Sequence, residues 1–330
     1  MPGPTLIDVD GLVVEYFTLR GPLRAVDSAT LEVRAGEILG IVGESGSGKS
    51  TLAQAILRIL PPQARIVGGS IVYRGEDLVA LSEERLKKIR WREISMVPQA
   101  ALNALNPTLR IRDHFIETAK AHGLTDKQWI LEKASELLEN VRLDPDRVLP
   151  SYPHELSGGM KQRVLIALSL LLDPKIVILD EPTTALDVLT QRFILDLLKD
   201  LKEKLGITMV FITHDIAVVA DIADRIAVMY AGQVVEVGDV FDVFYEPLHP
   251  YTRLLIKSVP GLRGSVDEMR PIPGSPPDMF SPPPGCRFHP RCPWRFEPCN
   301  SLEPKPIRLG TGRKVSCHLY TGKTGDCRYE

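Results

Sequence analysis

The sequence predicts an α/β protein with a largely parallel sheet, an antiparallel edge sheet, a helical subdomain and a loop-rich C-terminal extension. Three observations predict it. Apolar runs of strand length alternate with helical patterns through most of the chain. Two further strand patterns near the start have no helix between them. After about Pro260 the texture changes: thirteen of the 27 prolines fall between Pro260 and Pro306, and all five cysteines lie in the last 45 residues.

Taken in order, Leu12–Tyr16 and Leu31–Val33 are short strand patterns suited to an antiparallel edge. Ile38–Val42 is a continuous apolar run, the mark of a strand covered on both faces, and a helix follows from about Ser50 to Leu60. Ile94–Val97 is a short strand candidate. Ile111 to Ser169 is mostly helical, including the basic-amphipathic stretch Asp126–Val141. Strands resume at Ile176–Leu179, Thr208–Ile212 and Arg225–Met229, with a long helix from Val188 to about Leu205 between the first two. Such alternation implies βαβ units. The tail, with runs such as Pro282-Pro283-Pro284, cannot form long helices or central strands.

Composition excludes several function classes. Lys+Arg total 40 and Asp+Glu 42, a net charge of -2, so nucleic acid is not an expected partner. The longest apolar stretch, Val164 to Leu179, is broken by Asp173-Pro174-Lys175 and falls short of the roughly 20 apolar residues of a membrane helix. The opening MPGPTLIDVD lacks the regions of a signal peptide. The chain is therefore expected in the cytosol, touching a membrane only through a partner.

Gly43-Glu44-Ser45-Gly46-Ser47-Gly48-Lys49-Ser50 fits the G-x-x-x-x-G-K-[ST] phosphate loop between a strand and a helix. Gly43, Ser45, Gly46 and Gly48 let backbone N–H groups turn towards phosphate oxygens at a helix N-terminus, with Thr51 just inside it. Lys49 is expected to neutralise the β- and γ-phosphates and Ser50 to hold Mg²⁺. The strand Ile176–Leu179 ends in Asp180-Glu181, and acids at the end of a buried strand call for a cation or a proton. Asp180 fits the Mg²⁺ side, and Glu181 the role of orienting or deprotonating the attacking water. His214, after the strand Thr208–Ile212, would sit at the carboxyl edge of the sheet and contact the γ-phosphate. Ser157-Gly158-Gly159 opens a further helix with a capping serine and two glycines, a second anion-binding helix start. One nucleotide has little need of both ends from one molecule, so a head-to-tail dimer is expected.

The motifs GESGSGKST (Gly43–Thr51), VPQ with Gln99, LSGGMKQR (Leu156–Arg163), VILDEPTTALD (Val177–Asp187) and ITHD (Ile212–Asp215) occur together in this order. The chain thereby resembles the ABC ATPases, a class of P-loop NTPase, over essentially its whole length. HPYTRLL (His249–Leu255) and PPGCRFHPRCP (Pro283–Pro293) resemble the tail of the oligopeptide/dipeptide permease ATPases. The resemblance implies that Tyr16 stacks on adenine, that Gln99 senses Mg²⁺ and water, and that Asp187 belongs to the loop crossing the dimer interface. Residues 1–259 become the nucleotide-binding domain, with a helical subdomain over about 99–169 that receives a coupling helix of the permease. Residues 260–330 become a metal-binding extension. Met160 stands where glutamine is commonest in the signature, and Met-Lys-Gln looks like the peptide-permease form.

Cys286, Cys292, Cys299 and Cys317 have 5, 6 and 17 residues between successive members. Thiolates suit zinc or an iron–sulfur cluster, and no tight C-x₂₋₄-C pair favours zinc. In the zinc alternative His289 and His318 are further ligands; a third alternative is unligated or oxidised thiols. The resemblance implies a [4Fe–4S] cluster, with Cys327 a bystander. It also implies D- and F-type ATPase subunits in a non-identical pair, two permease subunits, an extracellular substrate-binding protein, and a place on the cytoplasmic face of the membrane. Expected function is ATP hydrolysis powering di- or oligopeptide uptake; the same ATPase type also serves oligosaccharide or nickel uptake. A soluble ABC ATPase acting on nucleic acid or ribosomes is the rival from another class. It usually carries two nucleotide domains or an inserted coiled coil or zinc finger, and neither is visible here.

Overall fold

The computed structural model describes residues 3–99, 104–259, 271–310 and 312–321. By its contacts the chain divides into two compact units, one of Pro4–Val79 with Thr213–Glu330 and one of Met1–Gly3 with Ala80–Ile212. Cys327 lies outside the described residues, as do 100–103 of the expected helical subdomain and 260–270 of the expected extension.

The first unit begins with β1 (Thr5–Thr18) and β2 (Gly21–Arg34), followed by β3 (Ile38–Val42), α1 (Lys49–Ile56), β4 (Ala64–Tyr73) and β5 (Glu76–Asp77). β1 pairs antiparallel with β2, Val9 opposite Leu31, and with β4, Val9 opposite Ile71. The predicted antiparallel edge is real but larger than expected. β1 and β2 run to 14 residues each, and the register shifts along them break the alternation of apolar residues that would reveal their full length in sequence. After residue 212 this unit continues with α8 (Ile216–Ile222), β9 (Arg225–Tyr230), β10 (Gln233–Asp239), α9 (Val240–Tyr245), α10 (Pro250–Lys257), β11 (Ile307–Leu309) and β12 (Arg313–Val315). β3 and β9 are parallel, Leu39 opposite Arg225, while β10, β12 and β11 add on antiparallel. All five residues of β3 are buried, as its unbroken ILGIV requires. A buried ion pair ties the ends of this layer: Arg225 Nη1 donates to both carboxylate oxygens of Glu37, at 2.9 and 3.1 Å.

The second unit contains α2 (Glu83–Ile89), β6 (Ile94–Val97), α3 (Ile111–Ala121), α4 (Lys127–Asn140), α5 (Pro145–Val148), α6 (Gly158–Ser169), β7 (Ile176–Asp180), α7 (Val188–Leu205) and β8 (Thr208–Thr213). β6, β7 and β8 are parallel, Val97 opposite Leu179 and Asp180 opposite Ile212. β7 and β8 are buried at every residue. α7 starts at Asp187, whose carboxylate caps Thr190 N, and stops at Gly206 in the left-handed region with its N–H on Lys202 O. Ile194, Leu197, Leu198 and Leu201 recur at the three-and-four spacing that lines one buried face. α6 is buried from Val164 to Ser169, and Trp91 Nε1 donates to its Leu168 carbonyl at 3.2 Å. Among the described residues no helix is long and apolar enough to cross a membrane.

Candidate functional site

In the first unit the loop from Gly43 to Gly48 joins β3 to α1. A Cβ on Gly43 would lie 2.0 Å from Met229 O, and one on Gly48, at φ +98°, would lie 2.3 Å from Ala25 O. Only glycine fits either place, so the backbone can wrap close to its neighbours and leave its amides to shape a concave turn. Ser45 and Gly46 are exposed on this loop, while Ser47 is buried. Lys49 is buried, and its ammonium donates to Gly43 O at 2.8 Å, Glu44 O at 2.9 Å and Ser47 Oγ at 3.3 Å. The cation is thus held over the loop by carbonyl and hydroxyl oxygens. Ser50 and Thr51 follow in the first turn of α1. Tyr16, half-buried on β1, shares a hydrogen bond with Thr51 Oγ1 at 3.3 Å, which brings the expected adenine-stacking residue to the loop. His214 is exposed, in a tight turn where Asp215 N donates to Thr213 Oγ1 and Asp215 caps Ala217 N.

In the second unit Asp180 ends β7 and is 1% exposed. Glu181 follows with φ 49°, its N–H on Ile212 O at 2.9 Å. Its carboxylate accepts from Gln99 Nε2 at 3.1 Å and Thr184 Oγ1 at 2.9 Å. The structure therefore brings together Glu181 and Gln99, which are 82 residues apart in sequence. Positive φ at a non-glycine residue is costly, and strain of this kind gathers at functional positions.

The same unit pairs two helix starts. Ser157 Oγ caps α6 by accepting from Met160 N at 3.3 Å. A Cβ on Gly159 would lie 2.6 Å from Thr190 Cγ2. Thr190 in turn donates from N and Oγ1 to the two oxygens of Asp187, at 2.9 and 2.7 Å. These bonds hold the Asp187 carboxyl below the usual range, its Thr190 hydroxyl contact being the largest cause. Ser157, Gly158, Gly159 and Asp187 are thus gathered through Thr190, a residue the sequence reading passed over. Its signal was present, since an aspartate three residues ahead of a threonine opens a helix with a double cap.

Residues 26–184 match the family described as ABC transporter, and residues 235–299 match the oligopeptide/dipeptide transporter C-terminal region. The dipeptide transport ATP-binding protein DppD of Caldanaerobacter subterraneus is 52% identical over 319 residues, covering 96% of this chain and 97% of its own. The oligopeptide transport ATP-binding protein AppD of Bacillus subtilis is 42% identical, covering 96% and 97%. The chain belongs to the ABC transporter ATP-binding proteins, in the oligopeptide/dipeptide branch. Among solved structures, the dimeric ABC transporter cassette MJ0796 aligns with TM-score 0.63 at 31% identity, over 71% of this chain and 99% of that one. The cassette cbiO1 of Clostridium perfringens aligns with the same score at 29% identity, over 73% and 91%.

This ABC transporter ATP-binding protein also gathers its four described cysteines. Cys286, Cys292, Cys299 and Cys317 line one small cavity with Phe288 and Trp294. They form no disulfide. Burial, and then the charge of the other three thiols, pushes Cys317 up to about 12; burial pushes Cys292 up to about 11. Burial pushes Cys286 up as well, so these three thiols would ionise together only against a cation. Lining one cavity is not yet a metal site: among the described residues no group of three or more His, Cys, Asp or Glu is set to hold a metal ion, so the expected metal-bearing extension stands without structural support. Of the two histidines in the zinc alternative, His289 Nδ1 is hydrogen-bonded to Cys286 O at 2.9 Å and His318 Nε2 to Leu302 O at 2.7 Å, so any ligation there falls to the other nitrogen of each ring.

Proposed function

We infer that this protein hydrolyses ATP to drive uptake of di- or oligopeptides through a membrane ABC importer. What supports it most is the glycine-shaped loop with Lys49 buried over it, in a chain that belongs to the oligopeptide/dipeptide branch. Residues 1–259 act as the nucleotide-binding domain, with a helical subdomain over about 99–169, and 260–330 as its extension.

The loop amides of Gly43, Ser45, Gly46 and Gly48 and the Lys49 ammonium take the phosphates, and Tyr16 takes the adenine. Ser50 and Asp180 are oxygen donors of the kind Mg²⁺ prefers, with Gln99 as a further neutral oxygen; the ion supplies charge neutralisation at the phosphates. Glu181, oriented by Gln99 and Thr184, positions the attacking water and accepts its proton, and His214 steadies the γ-phosphate. Ser157, Gly158 and Gly159, with Asp187 beside them, serve the nucleotide of a second ATPase subunit, a non-identical F-type paralogue. Two permease subunits receive the stroke, an extracellular binding protein delivers cargo, and the ATPase works at the cytoplasmic face of the membrane.

Four thiols around one cavity free of lining carboxylates suit a [4Fe–4S] cluster by donor chemistry. Cys286, Cys292, Cys299 and Cys317 would hold it, and it would supply cross-links to a segment poor in secondary structure. The test of function is the reconstituted complex with its binding protein. Peptide should stimulate ATP hydrolysis, and Glu181→Gln should lower the rate by about 10²-fold or more. Stimulation by oligosaccharide or nickel alone would overturn the cargo, and absence of any permease partner would favour a soluble ATPase.

A further inference from the structure

The residue after Gly43 in the phosphate loop is an acid, and a carboxylate is an odd occupant for a loop that receives a polyanion. Glu44 is not left to itself. Its two carboxylate oxygens accept from Arg291 in fork geometry, Nη1 to Oε2 at 2.8 Å and Nη2 to Oε1 at 3.0 Å. The Arg291 side chain is 5% exposed and that of Glu44 23%, so the pair is shielded from much of the screening that weakens surface ion pairs. Arg291 is itself fixed: Nε donates to Pro273 O at 2.8 Å and Nη1 to Tyr230 Oη at 3.3 Å. Its guanidinium lies 5.7 Å from the Tyr230 ring centre and 5.9 Å from that of Phe288.

The backbone of Glu44 is committed as well. Its N–H donates to Tyr251 Oη at 2.9 Å. Tyr251 is fully buried and packs on Tyr230 at 4.6 Å and Phe288 at 5.4 Å between ring centres. The carbonyl of Glu44 is among the oxygens that hold the Lys49 ammonium. One residue therefore connects the loop's cation to a tyrosine on α10 and to an arginine next to Cys292.

We propose that Tyr251 and Arg291 are positioning residues of the nucleotide site, fastening the phosphate loop through Glu44 and cancelling its negative charge. The C-terminal region thereby tunes how tightly the loop takes a nucleoside triphosphate. The proposal rests on the reading that this loop binds nucleotide. Without Arg291 the carboxylate stays on the loop uncompensated and repels the phosphates. Without Tyr251 Oη the Glu44 amide of the loop loses its anchor.

The experiment is titration of the full-length protein with a fluorescent ATP analogue and Mg²⁺, with a thermal unfolding curve for each variant. Arg291→Gln should raise Kd about tenfold, and KM for ATP should rise in step, by more than kcat falls. Adding Glu44→Gln removes the stranded charge, so the double variant should return to within about threefold of the parent. That rescue separates charge cancellation from loss of fold. Arg291→Gln binding like the parent overturns the proposal, and so does weakening that the double variant does not relieve. Lys49→Ala is the control for the site itself. If it binds nucleotide like the parent, the loop reading fails and this proposal falls with it; if it abolishes binding, the Arg291 series decides alone.

Discussion

The phosphate loop and the cysteine-bearing extension share a compact unit but are held in opposite ways. The loop lies between a strand buried at every residue and a helix, and its path is set by backbone that passes within reach of Met229 and Ala25 carbonyls. The described extension after residue 271 has two three-residue strands, β11 and β12, and single 3₁₀ turns; apart from the pairing of β12 with β10, it is tied on largely by side chains. Arg287 binds Asp27 and the Ala231 carbonyl, Arg291 binds Glu44, Arg313 binds Glu236, and Lys314 binds Glu32. A backbone-built feature is rigid locally and tolerates little at its glycines. A feature built from long-range ion pairs can be dismantled one link at a time, each costing less.

Gly48→Ala is the sharpest way to test the first half of that contrast. The new Cβ meets Ala25 O at 2.3 Å, and the left-handed φ of +98° penalises any side chain. Backbone strain of about 1–3 kcal/mol, or a displaced loop, should weaken nucleotide binding by about 10²-fold while the far-ultraviolet circular dichroism stays native. Parental affinity in this variant would mean that the loop is softer than its contacts suggest.

Cys317→Ser probes the second half. Cys317 is 7% exposed and packs beside Val315 and Tyr320, so a hydroxyl there is buried among apolar groups. Loss of about 2 kcal/mol in denaturant unfolding is expected from the desolvated hydroxyl alone. Iron per chain, measured in the same preparations, should fall to background in the variant. A parent free of iron would remove the cluster from the proposed function and leave a thiol-lined core.

The same contrast explains what could be read from the sequence. Gly43, Gly48, Lys49, the strand Ile38–Val42 and the acids after Ile176–Leu179 announce themselves by local spacing, because neighbouring residues build the feature. The link of Glu44 to Arg291 spans 247 positions and leaves no local trace. Tyr251 lay inside a recognised motif, yet nothing in HPYTRLL says that its hydroxyl reaches a loop 207 residues earlier. The full length of β1 and β2 is hidden in the sequence for a different reason: bulges shift the alternation part-way along. Polar residues that act across long sequence separations are thus found last, whereas buried strands, glycine turns and locally spaced site residues are found first.

The smallest expected effect concerns the link from β12 back to β2. Glu32 accepts from Lys314 Nζ at 2.8 Å, and this hydrogen bond is the largest cause of a carboxyl pKa below its ordinary 4.5, helped by Arg308 and Arg34. A folded-state pKa below the unfolded one means that the unfolded chain takes the proton first. The contribution is therefore complete above about pH 4.5 and is lost as pH falls through the lower folded value. Glu32 remains partly open to solvent, so screening limits the contribution to about 0.5 kcal/mol. Lys314→Met should flatten the acid slope of stability in denaturant titrations between about pH 5 and 3 relative to the parent. High salt should flatten the parent's slope in part, because the Glu32 and Lys314 side chains keep 19% and 15% of their surface open to solvent. An unchanged slope in the variant would show that β12 is held by its backbone pairing to β10, and the extension would then be less dependent on side-chain links than its composition implies.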